Sequence, residues 1–260
     1  MPVRARTLTT FAALLLLVTV QPGTGSWLDP HSSLVAAAST SLYVSTKGSD
    51  ANSGSLHSPL RTLQRAANRV TPGTTVYVRA GTYKGFKLAR SGTPDAPITF
   101  RSYPGEHAVI SGDPDHPSVV LLQNVHDVQM RDVTVQEAPF RKGSGIRVQY
   151  SDHILIADSV IRRNDSFGIL IDHGKYVRVQ HNAISHNATG VRVRYGGRGV
   201  LIVRNRIYRN TRMIVNDATP GNDTGGQGIA FEKTTGGAIA RGNQIWGNRA
   251  KSHDWGVDGN

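Results

Sequence analysis

An alternation of apolar and polar residues restarts at glycine four times in the second half of the chain, at Gly145-Ile-Arg-Val, Gly168-Ile-Leu-Ile, Gly190-Val-Arg-Val and Gly228-Ile-Ala-Phe. Each restart lies next to a segment that closes on asparagine: Ser159-Val-Ile-Arg-Arg-Asn164, Asn182-Ala-Ile-Ser-His-Asn187, Asn205-Arg-Ile-Tyr-Arg-Asn210 and Asn243-Gln-Ile-Trp-Gly-Asn248. The closing asparagines are 23, 23 and 38 residues apart, the last interval being one period plus a 15-residue insertion. Within a period, apolar residues recur every second position in three short runs broken by turns, as at Val177, Val179 and then Ile184. That spacing fits strands and no helix. One such unit cannot bury its own apolar side, so the period predicts an all-β solenoid of stacked coils, a parallel β-helix with three short strands per coil. Aligned asparagines at its turns are expected to bond from coil to coil, a structural role and not a catalytic one.

The first half carries weaker copies of the pattern. Val119 to Glu137 reads as a degenerate coil, and Pro97 to Ser102 with Ala108 to Gly112 as another. Earlier, Ser58-Pro59 is expected to open an amphipathic helix with Leu60, Leu63, Ala66, Ala67 and Val70 on one side. A solenoid end exposes unpaired strand edges, so this helix is expected to cap the first coil. At the other end, Gly256-Val-Asp-Gly-Asn260 reads as the first strand of a further coil, and the solenoid is expected to be truncated there. Residues 39–260 are thus expected to form one β-helix domain.

Composition adds the cellular setting. Arg4 and Arg6 precede the apolar run Phe11 to Val20, too short to span a bilayer, so residues 1–38 are read as a signal peptide with a propeptide-like segment. The mature chain would be secreted, with no integral membrane span. There are no cysteines, which excludes disulfide staples and zinc–thiolate sites. The formal charge of +12 falls only to +11 when residues 1–38, with Arg4, Arg6 and Asp29, are removed. A basic exported chain points to a polyanionic partner, and acidic polysaccharide fits better than nucleic acid because no nucleic-acid module is recognisable. A monomer is expected.

Leu42-Tyr-Val-Ser-Thr-Lys-Gly-Ser-Asp-Ala-Asn-Ser-Gly54, Ser58-Pro-Leu-Arg-Thr-Leu-Gln-Arg-Ala and Pro72-Gly-Thr-Thr-Val-Tyr-Val-Arg-Ala-Gly-Thr-Tyr83 together resemble the N-terminal signature of secreted pectate-lyase-like β-helix proteins. With the asparagine coils, the resemblance covers about residues 42–260 and is nearest to the polysaccharide lyase family nine group. It implies a right-handed parallel β-helix, an extracellular polysaccharide substrate, calcium held by aspartates, and a lysine or arginine base. The dense aspartate cluster of those lyases is matched only loosely, by His253-Asp-Trp-Gly-Val-Asp258.

Strand alternation gives a candidate surface independently. With Ile146, Ile169, Val191 and Ile229 pointing inward, one outward column is Arg147, Leu170, Arg192 and Ala230, continued by Asp258 if a further coil forms. The next is Gln149, Asp172, Arg194 and Glu232, and at the strand ends lie Tyr150, His173, Tyr195 and Lys233. Coils about 4.8 Å apart make this a strip of cations, carboxylates and aromatics suited to sugars, with Arg147, Tyr150, Asp172, His173, Arg192, Tyr195 and Glu232 as substrate-binding candidates. Surface ion pairing would produce a similar pattern. Asp217 and Asp223 in the insertion, with Asp254 and Asp258 beyond, could converge on Ca²⁺, although Asn-Asp-Thr-Gly and Asp-Gly are also common turn formers. Asp50-Ala-Asn-Ser-Gly54 looks like the start of a calcium loop but lacks the downstream glutamate, and is read as a turn.

Three functions stay open. The first is β-elimination from a uronate with Lys233 as base and Arg194 in reserve. The second is hydrolysis by Asp172 and Glu232, two coils apart and so roughly 9.6 Å between backbones, a separation that leans towards inversion. The third is a non-catalytic carbohydrate-binding or cell-surface β-helix protein, or a truncated enzyme that has lost its activity.

Overall fold

A computed structural model describes residues 40–114, 116–139, 143–215, 223–252 and 256–259. The segment read as a signal peptide, residues 1–38, lies outside them. In the unit from Ala36 onward the chain winds as a parallel β-solenoid. One coil runs Ser144–Gln149, Asp152–Ala157 and Val160–Arg162, and the next begins at Phe167–Asp172. Corresponding strands of successive coils pair in parallel, giving described sheets of eight, seven and six strands. The six-stranded sheet consists of Phe86–Leu88, Ser118–Gln123, Ser144–Gln149, Phe167–Asp172, Thr189–Arg194 and Gln227–Glu232. The expected upstream coils are present as Ile98–Ser102, Ala108–Ser111, Ser118–Gln123, His126–Arg131 and Val133–Gln136.

The 23-residue period places identical chemistry in register. Ile146 pairs with Ile169, Ile169 with Val191, and Val191 with Ile229. The first three are fully buried, and Ile229 packs on the same continuous core. Two asparagine ladders run along the turns. Asn164 Nδ2 donates to Asn187 Oδ1 at 3.0 Å, Asn187 to Asn210 at 2.9 Å, and Asn210 to Asn248 at 2.8 Å. In parallel, Asn182 donates to Asn205 and Asn205 to Asn243, each at 3.0 Å. The ladders satisfy turn groups that the strand pairing leaves over. The 38-residue step is therefore one coil spanned by the same bonds, with the insertion looped out.

From Asn124 onward, left-handed residues recur at the corners. At the end of the six-stranded sheet these are Asn124, Tyr150, His173, Tyr195 and Lys233, with φ between 46° and 55°. This conformation is uncommon for non-glycine residues, and its recurrence at one position per coil projects five side chains along one edge.

Three expectations need correction. The helix spans only Leu63–Ala67, because Thr62 accepts from the Arg65 amide and caps it, while Leu60 is already bridged to Val44. Asp50 belongs to this junction: Oδ1 accepts from the Arg61 and Thr62 amides at 2.9 Å each, and Oδ2 from the Thr62 hydroxyl at 2.7 Å. Its charge is thus used in a turn. Leu170 points outward yet is buried, because Ile214 packs over it together with Phe167 and Ala188. Ile214 belongs to a hairpin of Met213–Val215 and Asp223–Gly225, so the insertion folds back on the solenoid. Finally, Gly256–Gly259 does not start a parallel coil. It reverses and pairs antiparallel with Arg249–Ser252, placing Asp258 opposite Ala250 instead of beneath Ala230.

Candidate functional site

The six-stranded sheet carries the strip on its outer side. Register aligns Arg147 with Leu170, Leu170 with Arg192 and Arg192 with Ala230, and beside them Gln149 with Asp172, Asp172 with Arg194 and Arg194 with Glu232. The outward carboxylates are held by arginines of neighbouring coils. Asp172 Oδ2 accepts from Arg147 at 2.8 Å and Arg194 at 3.1 Å, and Oδ1 lies 3.0 Å from His173 Nδ1. Its side chain is only 5% exposed, against 25% and 28% for the two arginines. Burial pushes the Asp172 carboxyl up, but the hydrogen bonds from Arg194 and Arg147 outweigh it and hold the group below its ordinary 3.8. Glu232 is gripped by Arg192, whose Nε lies 3.0 Å away.

Along the edge, the left-handed residues stack. Tyr150 and His173 rings are 4.5 Å apart at 26°, and His173 and Tyr195 5.3 Å apart at 23°. Lys233 Nζ stands 5.6 Å from the Tyr195 centroid, continuing the file as a cation–π contact. Lys233 is exposed, so its amine faces solvent at the open end of the stack.

A parallel stack lies on the far side of the corner. His153 and Tyr176 rings are 4.9 Å apart, and the Arg198 guanidinium sits 5.8 Å from the Tyr176 centroid. Gly199, at φ 66°, makes room for that ring, since a Cβ there would lie 2.4 Å from Tyr176 Cδ1. Beside the Tyr150–His173–Tyr195 stack is a groove of about 430 Å³ lined by those three rings with Lys175, Arg198 and Thr235, among others. Sequence reasoning missed Lys175, Tyr176 and Arg198. His153 and Tyr176 are one 23-residue period apart, so the repeat itself held the signal.

The other expected residues divide. Asp217 and Asp254 lie outside the described residues. Asp223 is buried in the returning hairpin, whose strand Asp223–Gly225 adjoins Arg249–Ser252 and Gly256–Gly259. The Asp258 side chain is outside the described set. No cluster of three or more His, Asp or Glu side chains suited to a metal occurs among the described residues.

Residues 42–258 match the family model described as Pel9A-like, right-handed beta helix region. The chain belongs to that family. Its solenoid is accordingly right-handed. Over 132 residues it is 38% identical to the uncharacterized protein YwoF of Bacillus subtilis (strain 168), covering 46% of this chain and 28% of that protein. Over 81 residues it is 38% identical to pectate lyase PEL9 of Emericella nidulans, covering 30% of this chain and 20% of that one. The solved pectate lyase Pel9A superposes with a TM-score of 0.52 at 22% identity, over 67% of this chain and 49% of that chain. The chain thus matches less than a third of each of the two curated relatives and about half of the solved lyase. No helix among the described residues is long and apolar enough to cross a membrane.

Proposed function

We propose that this family member is a secreted protein that acts on uronate-containing polysaccharide, with the aromatic stack and its flanking cations as the binding strip and β-elimination as the reaction. The observation that carries this reading is the continuous file Tyr150–His173–Tyr195–Lys233 beside the column Asp172–Arg194–Glu232. Rings of this kind offer apolar surface to sugars, while Lys175 and Arg198 offer charge to carboxylates. A family that includes a named pectate lyase supports the substrate class.

In the proposed step, the neutral Lys233 amine takes the C5 proton of a bound uronate. The released electron pair forms the C4–C5 double bond, and the C4–oxygen bond breaks, its oxygen gaining a proton from solvent. Arg194 is the weaker candidate for the base, because it is already bonded to Asp172 and a paired guanidinium does not release its proton. A Ca²⁺ ion would use Asp217, Asp223, Asp254 and Asp258, hard oxygen donors carried in part on adjoining strands, and would neutralise the substrate carboxylate. The buried turn Leu63–Ala67 is proposed to close the first coil, and the chain to act as a monomer.

Hydrolysis is less well supported. Asp172 is held ionised beneath two arginines, whereas a general acid needs a raised pKa. Binding without turnover is the alternative favoured by the ion-paired state of both outward carboxylates.

The test is release of unsaturated uronate ends, followed by ultraviolet absorbance, on polygalacturonate with calcium or chelator. Lys233→Ala is expected to lower the rate about 100-fold or more while binding persists, the loss typical of a general base. Undiminished turnover in the variant rejects Lys233, and products without a double bond reject elimination.

A further inference from the structure

Away from the stack, a cleft of about 840 Å³ opens between the Leu63–Ala67 helix and the first long strands of the six-stranded sheet. We propose that this cleft is a second binding site for the acidic polysaccharide, receiving a carboxylate-bearing sugar on Lys87, Arg90 and Arg147. The inference rests on the polysaccharide reading above and extends it to the other end of the same sheet.

Lys87 pairs with Leu121 and Leu121 with Arg147, so two cations stand on alternate coils, roughly 9.6 Å apart by strand spacing, with a half-buried leucine between them. This is the N-terminal continuation of the outward column that holds Arg192. Arg147 is the joint: one guanidinium nitrogen bonds Asp172 in the strip, while the residue also lines the cleft.

Charge and shape select the occupant. Among the described residues the lining contains Lys87, Arg90, Arg147 and His116, and no Asp or Glu. His116 is oriented by Asp113, 3.0 Å from its Nδ1. Arg147 is already paired with Asp172 and His116 with Asp113, but Lys87 and Arg90 have no carboxylate partner among the described residues, so this cleft favours an anion. An inorganic ion would leave most of the volume empty, since the cleft is sized for a ligand of many atoms. Leu121 and Ala67 supply apolar floor and Gln64, Asn68 and Ser118 supply polar groups, the mixture a sugar ring needs. The wall is fixed: Gln64 Oε1 accepts from the Lys87 amide at 2.9 Å, and Gln64 Nε2 donates to the Lys87 carbonyl at 3.1 Å. A carboxylated sugar therefore meets a site that needs little ordering.

The experiment is calorimetric titration of the full chain with a galacturonate oligomer, its methyl ester as the uncharged control. Lys87→Ala with Arg90→Ala is compared with Tyr150→Ala with His173→Ala. The proposal expects the first pair to weaken the acidic oligomer roughly tenfold or more, one lost charge-assisted bond being worth about that factor, with little change for the ester. Unchanged affinity in that pair overturns the cleft, and a loss in the Tyr150 and His173 pair alone leaves the strip reading standing. Absence of binding by the unaltered chain overturns both. As a check independent of substitution, saturating oligomer should protect the Lys87 amine from acetylation in the unaltered protein, and an unprotected amine overturns the cleft.

Discussion

Asp172 shows how the position of a side chain can be legible in sequence while its partners are not. Alternation put it on the outer face, and it is there, but two arginines and a histidine enclose it. Because its folded carboxyl titrates below the ordinary 3.8, its contribution to stability is present above that value and is lost as pH falls through the lower folded value. Asp172→Asn should therefore destabilise the chain at neutral pH by about 2–3 kcal/mol, less than the roughly 3–5 of a fully buried pair because the arginines keep contact with solvent. Urea midpoints for the two proteins should converge when measured well below pH 3.8. A gap that persists in acid would mean that packing, not charge, dominates. The same holds for Lys233. Its position was readable from the period, whereas its place at the open end of a ring stack depends on the left-handed corner that turns all four side chains the same way.

At the scale of the element, the glycines and asparagines of the repeat prove to be one device. A Cβ at Gly168 would lie 2.6 Å from the Gly190 carbonyl oxygen and 2.9 Å from Asn187 Nδ2, and one at Gly190 would meet Gly228 and Asn210 in the same way. The glycine at each strand start leaves the space that the ladder amide occupies. Gly190→Ala should thus destabilise by overpacking, by about 1–3 kcal/mol. Asn187→Ala removes acceptors for the Asn164 amide and side chain and a donor to Asn210, and should cost about 2–4 kcal/mol. Denaturant midpoints check both, and a neutral Asn187→Ala would remove the ladder from the stabilising set. The repeat predicted the ladder because hydrogen bonding at turns is local and periodic. It set the N-terminal helix too long and missed the antiparallel C-terminal hairpin, where the chain satisfies backbone edges with whatever segment follows.

For the whole molecule, the charge of +12 was read as a polyanion signal, and its distribution refines that reading. Arginines on the outer strip are paired with carboxylates, while Lys87 and Arg90 in the cleft beside the helix have no carboxylate partner among the described residues. Affinity for galacturonate oligomers should therefore fall by at least tenfold between about 0.05 M and 0.5 M salt as screening shortens the range of the exposed charges. Titrations at the two ionic strengths check this, and a salt-independent affinity would point to ring stacking as the dominant contribution. Sequence alone determined the solenoid, its period, its inward columns and its ladders, because each follows from residues that repeat at fixed spacing and whose burial is set by alternation. Tertiary structure decided what lies over those columns: the hairpin covering Leu170, the reversal that takes Asp258 out of file, the second stack at Tyr176, and the cleft. These depend on contacts between segments that share no period, and chain spacing carries no information about which non-repeating loop will fold back on which coil.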